Sequence, residues 1–389
     1  MNDRSTTGLI HHPYRAPAGF EAPQAGVFKA STVIFPNAAA MRARDWRQKD
    51  GYTYGLLGTP TTFVLEERIA HLEGGLHAQL VPSGLAAIAL VDLALLGQGD
   101  EVLIPDNVYG PSKHLVRHQL SRLGIGHRLY DPMQADALPS MFGPSTRLLW
   151  VEAPGSVTME FPDLASLASA ARAAGVRVAL DNTWGAGLAF QAFDFDVDVS
   201  VQALTKYASG GGDVLMGAVV TRDPDLHLQI KAVHVDIGMG VAANDAEAVL
   251  RGLPSIRLRY EAQDRVGRGL ARWLQTRPQI ARVLHPALQG SPGHEHWARH
   301  CQGAAGLFSV VFRPEFDAAA VDHFVDALKL FRIGYSWAGP VSLVVPYDLA
   351  SMRSQPPFDG VLVRFSIGLE DEGDLRADLE QALAALPAA

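Results

Sequence analysis

Two short apolar runs, each followed by a residue of distinct chemistry, constrain this sequence most. The first run, residues 176–180, leads into Asp181. The second run, residues 197–202, alternates apolar and polar residues and leads to Lys206, which a glycine-rich segment at 209–213 follows. Such runs predict strands. Ligands of open α/β sheets bind beyond the carboxyl ends of strands, so we expect Asp181 and Lys206 to face one site.

A lysine and a carboxylate facing one another suit a particular cofactor. A lysine amine can bond covalently to an aldehyde, and the ring nitrogen of pyridoxal 5'-phosphate (PLP) needs an anionic partner, often Asp. A carboxylate about 4 Å from that nitrogen contributes roughly 4 kcal/mol at an effective dielectric near 20. This is about three pKa units, enough to keep the ring protonated. Taken alone, Asp181 is better explained as the cap of a turn, and Lys206 as a surface lysine. The order of strand, Asp181, strand, Lys206 and glycine-rich segment is more specific and favours a PLP site.

The composition is that of a globular protein. The chain has 389 residues, of which 48% are hydrophobic and 19% charged, enough for one large and one smaller domain. A net charge of −8 argues against nucleic-acid binding. Cys301 is the only cysteine, which excludes an intrachain disulfide. The N-terminus lacks an apolar signal segment, and no apolar run reaches the roughly 20 residues of a membrane span. We therefore expect a cytoplasmic protein that binds no membrane.

Two segments of the chain resemble the Cys/Met-metabolism family of PLP-dependent enzymes. They are residues 181–184, with the sequence Asp-Asn-Thr-Trp, and residues 202–207, with the sequence Gln-Ala-Leu-Thr-Lys-Tyr. Within the family the chain is most similar to the bacterial cystathionine β-lyases, from about Ala25 to the C-terminus. The resemblance implies PLP as cofactor and a small sulfur amino acid as substrate.

The resemblance also implies a fold. It is an α/β fold of the aspartate aminotransferase type (fold type I), with a mostly parallel sheet flanked by helices and a smaller α+β C-terminal domain. We expect an N-terminal arm contacting a neighbouring subunit at 1–57, a PLP-binding large domain at 58–250 and a small domain at 251–389. Family members are usually tetramers, so a homotetramer, a dimer of dimers with shared active sites, is expected.

The residues that the resemblance assigns to the cofactor centre on Lys206, which would carry PLP and remove the substrate's α-proton. Asp181 would pair with the ring nitrogen. Tyr109 would stack on the ring, contact substrate and, like Tyr54, serve as a candidate for proton transfer. A strand, a turn and a helix start are predicted at 79–88, and N–H groups at a helix N-terminus favour anions. Such a turn is common before any helix, but the matching family segment implies a phosphate cradle here. The predicted phosphate ligands are Ser83, Gly84, Leu85, Thr205 and Tyr54.

The sequence departs from the family pattern near the phosphate. Tyr54 matches the tyrosine of a Tyr-x-Arg segment that holds the phosphate of the adjacent protomer, but Leu56 stands where the arginine is expected. Leu57 lies where a substrate-binding arginine can occur, and Ala203 replaces a common serine. Leucine has neither a charge nor a donor. How the phosphate and a distal substrate carboxylate are held therefore stays open.

Arg364 is the candidate for binding the substrate's α-carboxylate. It lies in an apolar, strand-like stretch, and a buried arginine must be paired. The fork of a guanidinium suits a carboxylate. The alternative is a structural pair, for example with Glu370. Ser336 and Trp337 belong to a segment similar to the family's Tyr-Ser-Trp-Gly-Gly loop, which implies that they line the substrate pocket.

Residues 154–160, read Pro-Gly-Ser-Val-Thr-Met-Glu, resemble the β-lyase branch, whereas γ-acting relatives typically carry Asn-Pro here. The implied reaction is β-elimination of L-cystathionine to homocysteine, pyruvate and ammonia, a step of methionine biosynthesis. Leu56 and Leu57 keep other carbon–sulfur lyases open: cysteine desulfhydrase, methionine γ-lyase or an acylhomoserine sulfhydrylase. A PLP-binding regulatory protein is an alternative of another class.

One histidine-rich stretch invites a metal hypothesis. Its members are His285, His294, His296, His300 and Cys301. No CxxC or HExxH spacing is present among them, so we expect no metal site.

Overall fold

A computed structural model of the chain describes residues 6–12, 18–20, 22–47, 49, 51–353 and 355–386. The arm predicted at 1–57 therefore lies partly outside the described residues, as do the last three residues of the predicted small domain.

A seven-stranded sheet organises the first part of the chain. Its strands follow the order β1-β7-β6-β5-β4-β2-β3. Strand β7 is antiparallel to both of its neighbours, and every other adjacent pair is parallel. The bounds are β1 (His77–Val81), β2 (Glu101–Pro105), β3 (Gly126–Tyr130), β4 (Thr146–Glu152), β5 (Arg177–Asp181), β6 (Val199–Ala203) and β7 (Gly217–Thr221).

Helices cover both faces of this sheet. The helices in this part of the chain are α1 (Thr6–Ile10), α2 (Ala38–Arg42), α3 (Pro60–Glu73), α4 (Gly84–Leu95), α5 (Gly110–Leu115), α6 (Leu164–Ala173), α7 (Pro224–Asp236) and α8 (Ala243–Gly252). Apolar residues of α4 and α7 pack on one face, and those of α3, α6 and α8 pack on the other. Shorter turns are the π-helix Val116–Leu120 and the 3-10 helices Gly55–Leu57, Ser121–Leu123, Ala135–Met141, Ala192–Phe195 and Leu253–Ser255.

Local sequence explains where these helices begin and end. Thr59 caps α3 through a reciprocal pair of hydrogen bonds with Thr62, and Pro60 suits the first helical position. The helix ends at Gly74, whose φ of 74° is left-handed and favours glycine. Asp163 caps α6, because its carboxylate accepts the Ser166 N–H. The amphipathic run at 63–72 and the alanine-rich run at 163–174 predict helices, and α3 and α6 confirm both predictions.

A five-stranded sheet organises the C-terminal part. Its strands follow the order β10-β11-β12-β9-β8; only β10 and β11 are parallel. The bounds are β8 (Ile280–Leu284), β9 (Leu307–Phe312), β10 (Arg332–Ile333), β11 (Leu343–Tyr347), β12 (Leu362–Ser366), α9 (Ile256–Leu274), α10 (His294–His300), α11 (Ala318–Ala327), α12 (Leu349–Met352) and α13 (Glu372–Ala384). Apolar residues of α9, α11 and α13 complete its core.

The architecture confirms the predicted mostly parallel sheet flanked by helices, with a smaller mixed unit after it. The two sheets lie at 77–221 and 280–366, on either side of the boundary predicted near residue 250. The boundary itself stays a prediction. Among the described residues, no helix combines the length and apolarity needed to cross a membrane.

Candidate active site

A cavity of about 550 Å³ opens at the carboxyl ends of β4, β5 and β6, and residues from the second sheet close its far side. Ten of the predicted site residues line it: Ser83, Gly84, Leu85, Tyr109, Asp181, Thr205, Lys206, Ser336, Trp337 and Arg364. The cavity therefore brings together residues as distant in the sequence as Ser83 and Arg364, which are 281 positions apart.

Lys206 lies in the turn after β6, and its amine is directed into the cavity. Its Nζ donates a hydrogen bond to Ser336 Oγ at 2.6 Å and lies 5.3 Å from the centre of the Trp337 ring. Burial lowers the pKa of Lys206 to about 8; the Arg364 charge also lowers it, while Asp181 opposes the shift. A larger fraction of the amine is therefore unprotonated near neutral pH, which suits a general base.

Asp181 is the last residue of β5 and lies beside the lysine at the same edge of the sheet. Its Oδ1 accepts the Thr183 N–H at 3.0 Å, which fixes the carboxylate. Burial raises the pKa of Asp181, and the Thr183 hydrogen bonds and the Lys206 charge oppose that shift. A cationic ring nitrogen would satisfy a carboxylate in this position.

The start of α4 provides a compact anion cradle. Ser83 caps the helix, because its Oγ accepts the Ala86 N–H at 3.1 Å. A Cβ at Gly84 would lie only 2.6 Å from the Ala203 Cβ, so the backbone approaches too closely for a side chain. The N–H groups of Gly84 and Leu85 are not used by the helix's own hydrogen-bond ladder and favour a phosphate.

Thr205 also faces the cavity, but its hydroxyl is engaged with the backbone. The Oγ1 accepts the Met216 N–H at 3.0 Å and donates to the Met216 carbonyl at 3.2 Å. The side chain thus ties the turn before Lys206 to the residue preceding β7. Its role as a phosphate ligand stays a prediction.

Glu152 is a site residue that the sequence reasoning missed. It is the last residue of β4, pairs in register with Asp181 and lines the cavity. Its Oε2 accepts the Tyr109 N–H at 2.8 Å, so it holds the backbone of the predicted stacking residue. Burial raises the pKa of Glu152 well above its usual range, and the Asp181 charge adds to this; hydrogen bonds from Tyr109 and Ser156 oppose it.

Arg364 lies in β12 and is almost completely buried, with 7% of its surface exposed. Its Nη2 donates to the Ser336 carbonyl at 3.4 Å, and its guanidinium carbon lies 5.2 Å from the centre of the Tyr347 ring. Glu370, the alternative partner, instead accepts two hydrogen bonds from Ser342 at 2.8 Å. Within the described part of the chain no carboxylate forms an ion pair with Arg364, so its fork is available for a substrate carboxylate.

Tyr54 does not line the cavity of its own chain. Its backbone forms a β-bridge with Thr32, and 51% of its surface is exposed. Leu56 lies close to Gly240, where an added Cβ would be 3.2 Å from Leu56 Cδ1. The predicted roles of Tyr54 and of the Leu56–Leu57 pair concern a neighbouring subunit and stay predictions.

The histidine-rich stretch lies away from the cavity. His294 contacts the Pro286 carbonyl at 2.9 Å, and His285 is completely buried. Among the residues that the structure describes, no group of three or more His, Cys, Asp or Glu side chains could hold a metal ion.

These residues fit PLP. The cavity supplies an amine of lowered pKa for the aldehyde, a carboxylate for the ring nitrogen, and a helix N-terminus for the phosphate. The cavity is also lined by residues to which the sequence assigned no role, among them Glu152, Tyr335, Tyr347 and Met352.

Comparison with known proteins agrees with this chemistry. Residues 6–384 match the family described as Cys/Met metabolism PLP-dependent enzyme. A cystathionine beta-lyase from Bordetella avium is 40% identical over 385 residues, covering 96% of each chain. An L-alanine/L-glutamate racemase from Wolbachia pipientis is 33% identical over 374 residues, covering 93% of this chain and 92% of the relative.

A solved structure gives the same result. The crystal structure of cystathionine gamma-lyase from Lactobacillus plantarum, complexed with L-serine, has a TM-score of 0.89 and 25% sequence identity, with 98% of both chains covered. The predicted fold type I, the PLP cofactor and the class of PLP-dependent carbon–sulfur lyase are confirmed by these matches. The chain belongs to the Cys/Met metabolism family of PLP-dependent enzymes.

Proposed function

We propose that the chain is a cystathionine β-lyase, which converts L-cystathionine to homocysteine, pyruvate and ammonia. The observation that carries the proposal is the convergence of Lys206, Asp181 and Arg364 on one cavity, beside Ser156 and Val157 of the β-lyase-like segment. The 40% identity to the Bordetella avium cystathionine beta-lyase supports the choice of substrate.

Lys206, Arg364 and Asp181 have separate roles in this proposal. PLP supplies an electron sink for the charge left when the substrate's α-proton is removed. Lys206 Nζ takes that proton, aided by the pKa of about 8 that burial gives it. Arg364 would bind the α-carboxylate through its guanidinium fork, and the Asp181 carboxylate would pair with the ring nitrogen of PLP.

Ser336 and Tyr109 assist the proton movements. The hydrogen bond from Lys206 Nζ to Ser336 Oγ, 2.6 Å long, orients the amine within the cavity. Burial raises the pKa of Tyr109, and the Asp181 and Glu152 charges add to that shift. The Tyr109 hydroxyl therefore stays protonated near neutral pH and is a suitable donor to the departing thiolate.

The proposal includes an assembly, a homotetramer built from dimers that share active sites. Tyr54 is half exposed and outside its own chain's cavity, which supports a role in the neighbouring subunit's site. There it would bind the phosphate in the way that the family resemblance implies.

A second candidate is a lyase for smaller amino acids. Among the described residues of this chain, Lys206 and Arg364 are the only cationic side chains that line the cavity. Leu56 and Leu57 add no charge for a distal carboxylate. This favours cysteine or methionine as substrate, and the match to a racemase adds alanine to the compounds that need testing. Nothing in the structure favours the regulatory alternative.

Product analysis distinguishes these candidates. The PLP-loaded protein would be incubated with L-cystathionine, L-cysteine, L-methionine or L-alanine, with Lys206→Ala as the matched inactive control. Pyruvate plus homocysteine from cystathionine supports the proposal. 2-Oxobutyrate plus cysteine, turnover of cysteine or methionine alone, or racemisation of alanine alone would each replace it with the corresponding activity.

The assignment of Lys206 is tested separately. Borohydride reduction of the PLP-loaded protein, followed by peptide mapping, should place the cofactor's mass on Lys206. A label on any other lysine would overturn the role assigned to this residue.

A further inference from the structure

A buried polar network lies behind the site, on the face of the large sheet opposite Asp181. Its centre is Glu73, the last residue of α3, which has no exposed surface. Asp181 pairs with Val201, whose side chain packs on the α4 face of the sheet. Successive strand residues alternate between faces, so Asn182 and Gln202 lie on the α3 face.

The carboxylate of Glu73 accepts hydrogen bonds from three side chains. Asn182 Nδ2 donates to both oxygens, at 3.0 and 3.2 Å, and Ser200 Oγ donates at 2.8 Å. Gln202 Nε2 donates to Oε1. Two of these donors adjoin the reactive residues: Asn182 directly follows Asp181, and Gln202 belongs to the strand end that leads to Lys206.

The position of Glu73 is fixed by close backbone packing. Gly74 ends α3 with a φ of 74°. A Cβ at Gly187 would lie 2.4 Å from the Leu72 carbonyl oxygen, and a Cβ at Gly75 would lie 2.3 Å from Val220 Cγ1. The end of the helix therefore cannot shift without displacing its neighbours, and Glu73 is a rigid anchor for the two strand ends.

Stability alone does not account for this carboxylate. In the part of the chain that the structure describes, no Lys, Arg or His side chain forms an ion pair with Glu73. Burial raises its pKa to about 7, the hydrogen bonds from Asn182 and Ser200 lower it, and the Asp181 charge raises it further. A buried charge held by neutral donors is costly, and apolar side chains of similar volume are often at least as stabilising.

We propose that Glu73 is a positioning residue, which sets the separation of Asp181 and Lys206 by binding Asn182 and Gln202 at the ends of the strands that carry them. The inference rests on the roles proposed for Lys206 and Asp181, and it concerns geometry rather than the identity of the substrate. Glu73 itself does not line the cavity.

The test is Glu73→Gln in the PLP-loaded protein. The replacement keeps the shape but turns an acceptor into a donor that faces Asn182 and Gln202, so the strand ends must shift. We expect the pH midpoint of the cofactor's absorbance change, which reports the Lys206 linkage, to move by at least about half a unit. We expect kcat to fall at least about tenfold with little change in KM, because small misplacements of reacting groups are costly.

A matched control is Asp92→Asn. Asp92 is likewise a completely buried carboxylate whose pKa burial raises to about 7, but it accepts the Trp150 Nε1–H at 2.8 Å and contacts neither Asn182 nor Gln202 through a hydrogen bond. This variant should leave the absorbance midpoint and kcat unchanged. Combining Glu73→Gln with Gln202→Glu returns a carboxylate to the network and should restore both quantities in large part.

If Glu73→Gln does not fold, Ser200→Ala removes one donor to the same carboxylate; it should shift the midpoint and lower kcat, both by less than expected for Glu73→Gln. The proposal is overturned if the folded Glu73→Gln or Ser200→Ala protein loses only thermal stability and keeps the wild-type midpoint and kcat. The absorbance readout needs no substrate. An unexpected product from wild-type protein would thus revise the proposed function without bearing on Glu73.

Discussion

At the scale of single residues, Arg364 is the most direct test of substrate recognition. Arg364→Lys keeps the charge but loses the fork that grips two oxygens of a carboxylate. Loss of one charge-assisted hydrogen bond costs about 1.5–3 kcal/mol, so kcat/KM should fall roughly 10- to 100-fold, mainly through KM. Steady-state kinetics with the substrate found by product analysis measures this.

The control for that change is Arg128→Lys. Arg128 is an exposed arginine that makes two hydrogen bonds to Glu101, at 2.8 and 2.7 Å, far from the cavity. The Arg128→Lys variant should therefore have an unchanged kcat/KM. A similar loss in both variants, or none in Arg364→Lys, would contradict the role assigned to Arg364.

Asp92 allows a prediction about pH. Its pKa in the folded protein is raised to about 7, whereas in the unfolded chain it is near 4. Above pH 4 the unfolded chain releases a proton that the folded protein keeps, so this carboxyl group destabilises the fold as pH rises from about 4 to 7. Asparagine has no such proton. The Tm of Asp92→Asn minus that of wild type should therefore become more positive from pH 5 to pH 8.

Calorimetry of both proteins at the two pH values measures this difference, and other buried acids cancel because they are common to both. A Tm difference that is the same at pH 5 and pH 8 would show that Asp92 does not titrate in this range in the folded state.

Some residues of the site could be predicted because chemistry and pattern coincided. Asp181 and Lys206 follow strand-like runs, and the structure places both at one sheet edge. Glu152 and Glu73 could not be found in this way. Each is a single acidic residue at the end of an element, and only the register and the packing show which groups its carboxylate meets.

At the scale of elements, the segment 153–160 between β4 and α6 shapes one wall of the cavity. A network braces it: Asn107 Nδ2 donates to Glu160 Oε2 at 3.0 Å, and the Ser156 N–H donates to the Asn107 carbonyl at 2.8 Å. A Cβ at Gly155 would lie 1.9 Å from Asn107 Nδ2. The glycine is therefore needed for close approach.

Gly155→Ala should disrupt the close approach of residue 155 to the Asn107 side chain. Asn107 is buried, with only 1% of its surface exposed, and cannot move aside without leaving Glu160. Overpacking of this kind costs about 1–3 kcal/mol. Chemical denaturation at fixed protein concentration measures the loss. Gly143→Ala is the matched control, because the nearest neighbour of its Cβ would be Thr146 Oγ1 at 3.8 Å, an ordinary contact. If the two variants lost the same free energy of unfolding, the packing argument for Gly155 would be wrong.

Element prediction succeeded where periodicity was clear. The apolar runs at 101–105 and 307–312 predict strands, and these match β2 and β9 in both bounds. Strands β3, β8, β10 and β11 were not predicted. Strand β10 has only two residues, and β11 contains Pro346, which usually argues against a strand interior. Their pairing with neighbours, rather than their own sequence, defines them.

At the scale of the whole molecule, the site joins two sheets that the sequence separates. Lys206 comes from the large sheet, while Ser336 and Arg364 come from the region of the smaller one. Local patterns carry no information about such contacts between distant segments. The family resemblance supplied that information. Ten of the predicted residues line the cavity, and the roles assigned to them stay predictions.

The remaining predicted site residue, Tyr54, gives the last prediction, which concerns the assembly. If Tyr54 acts in a neighbouring subunit's site, Lys206→Ala and Tyr54→Ala chains should complement each other when they are co-expressed. A hybrid dimer then contains one site with both residues intact and one site with neither. Random pairing makes half of the dimers hybrid, so about a quarter of all sites should be active. Activity measured on the mixed protein, against each variant alone, tests this. A mixture no more active than the average of the two variants would place Tyr54 outside a shared site.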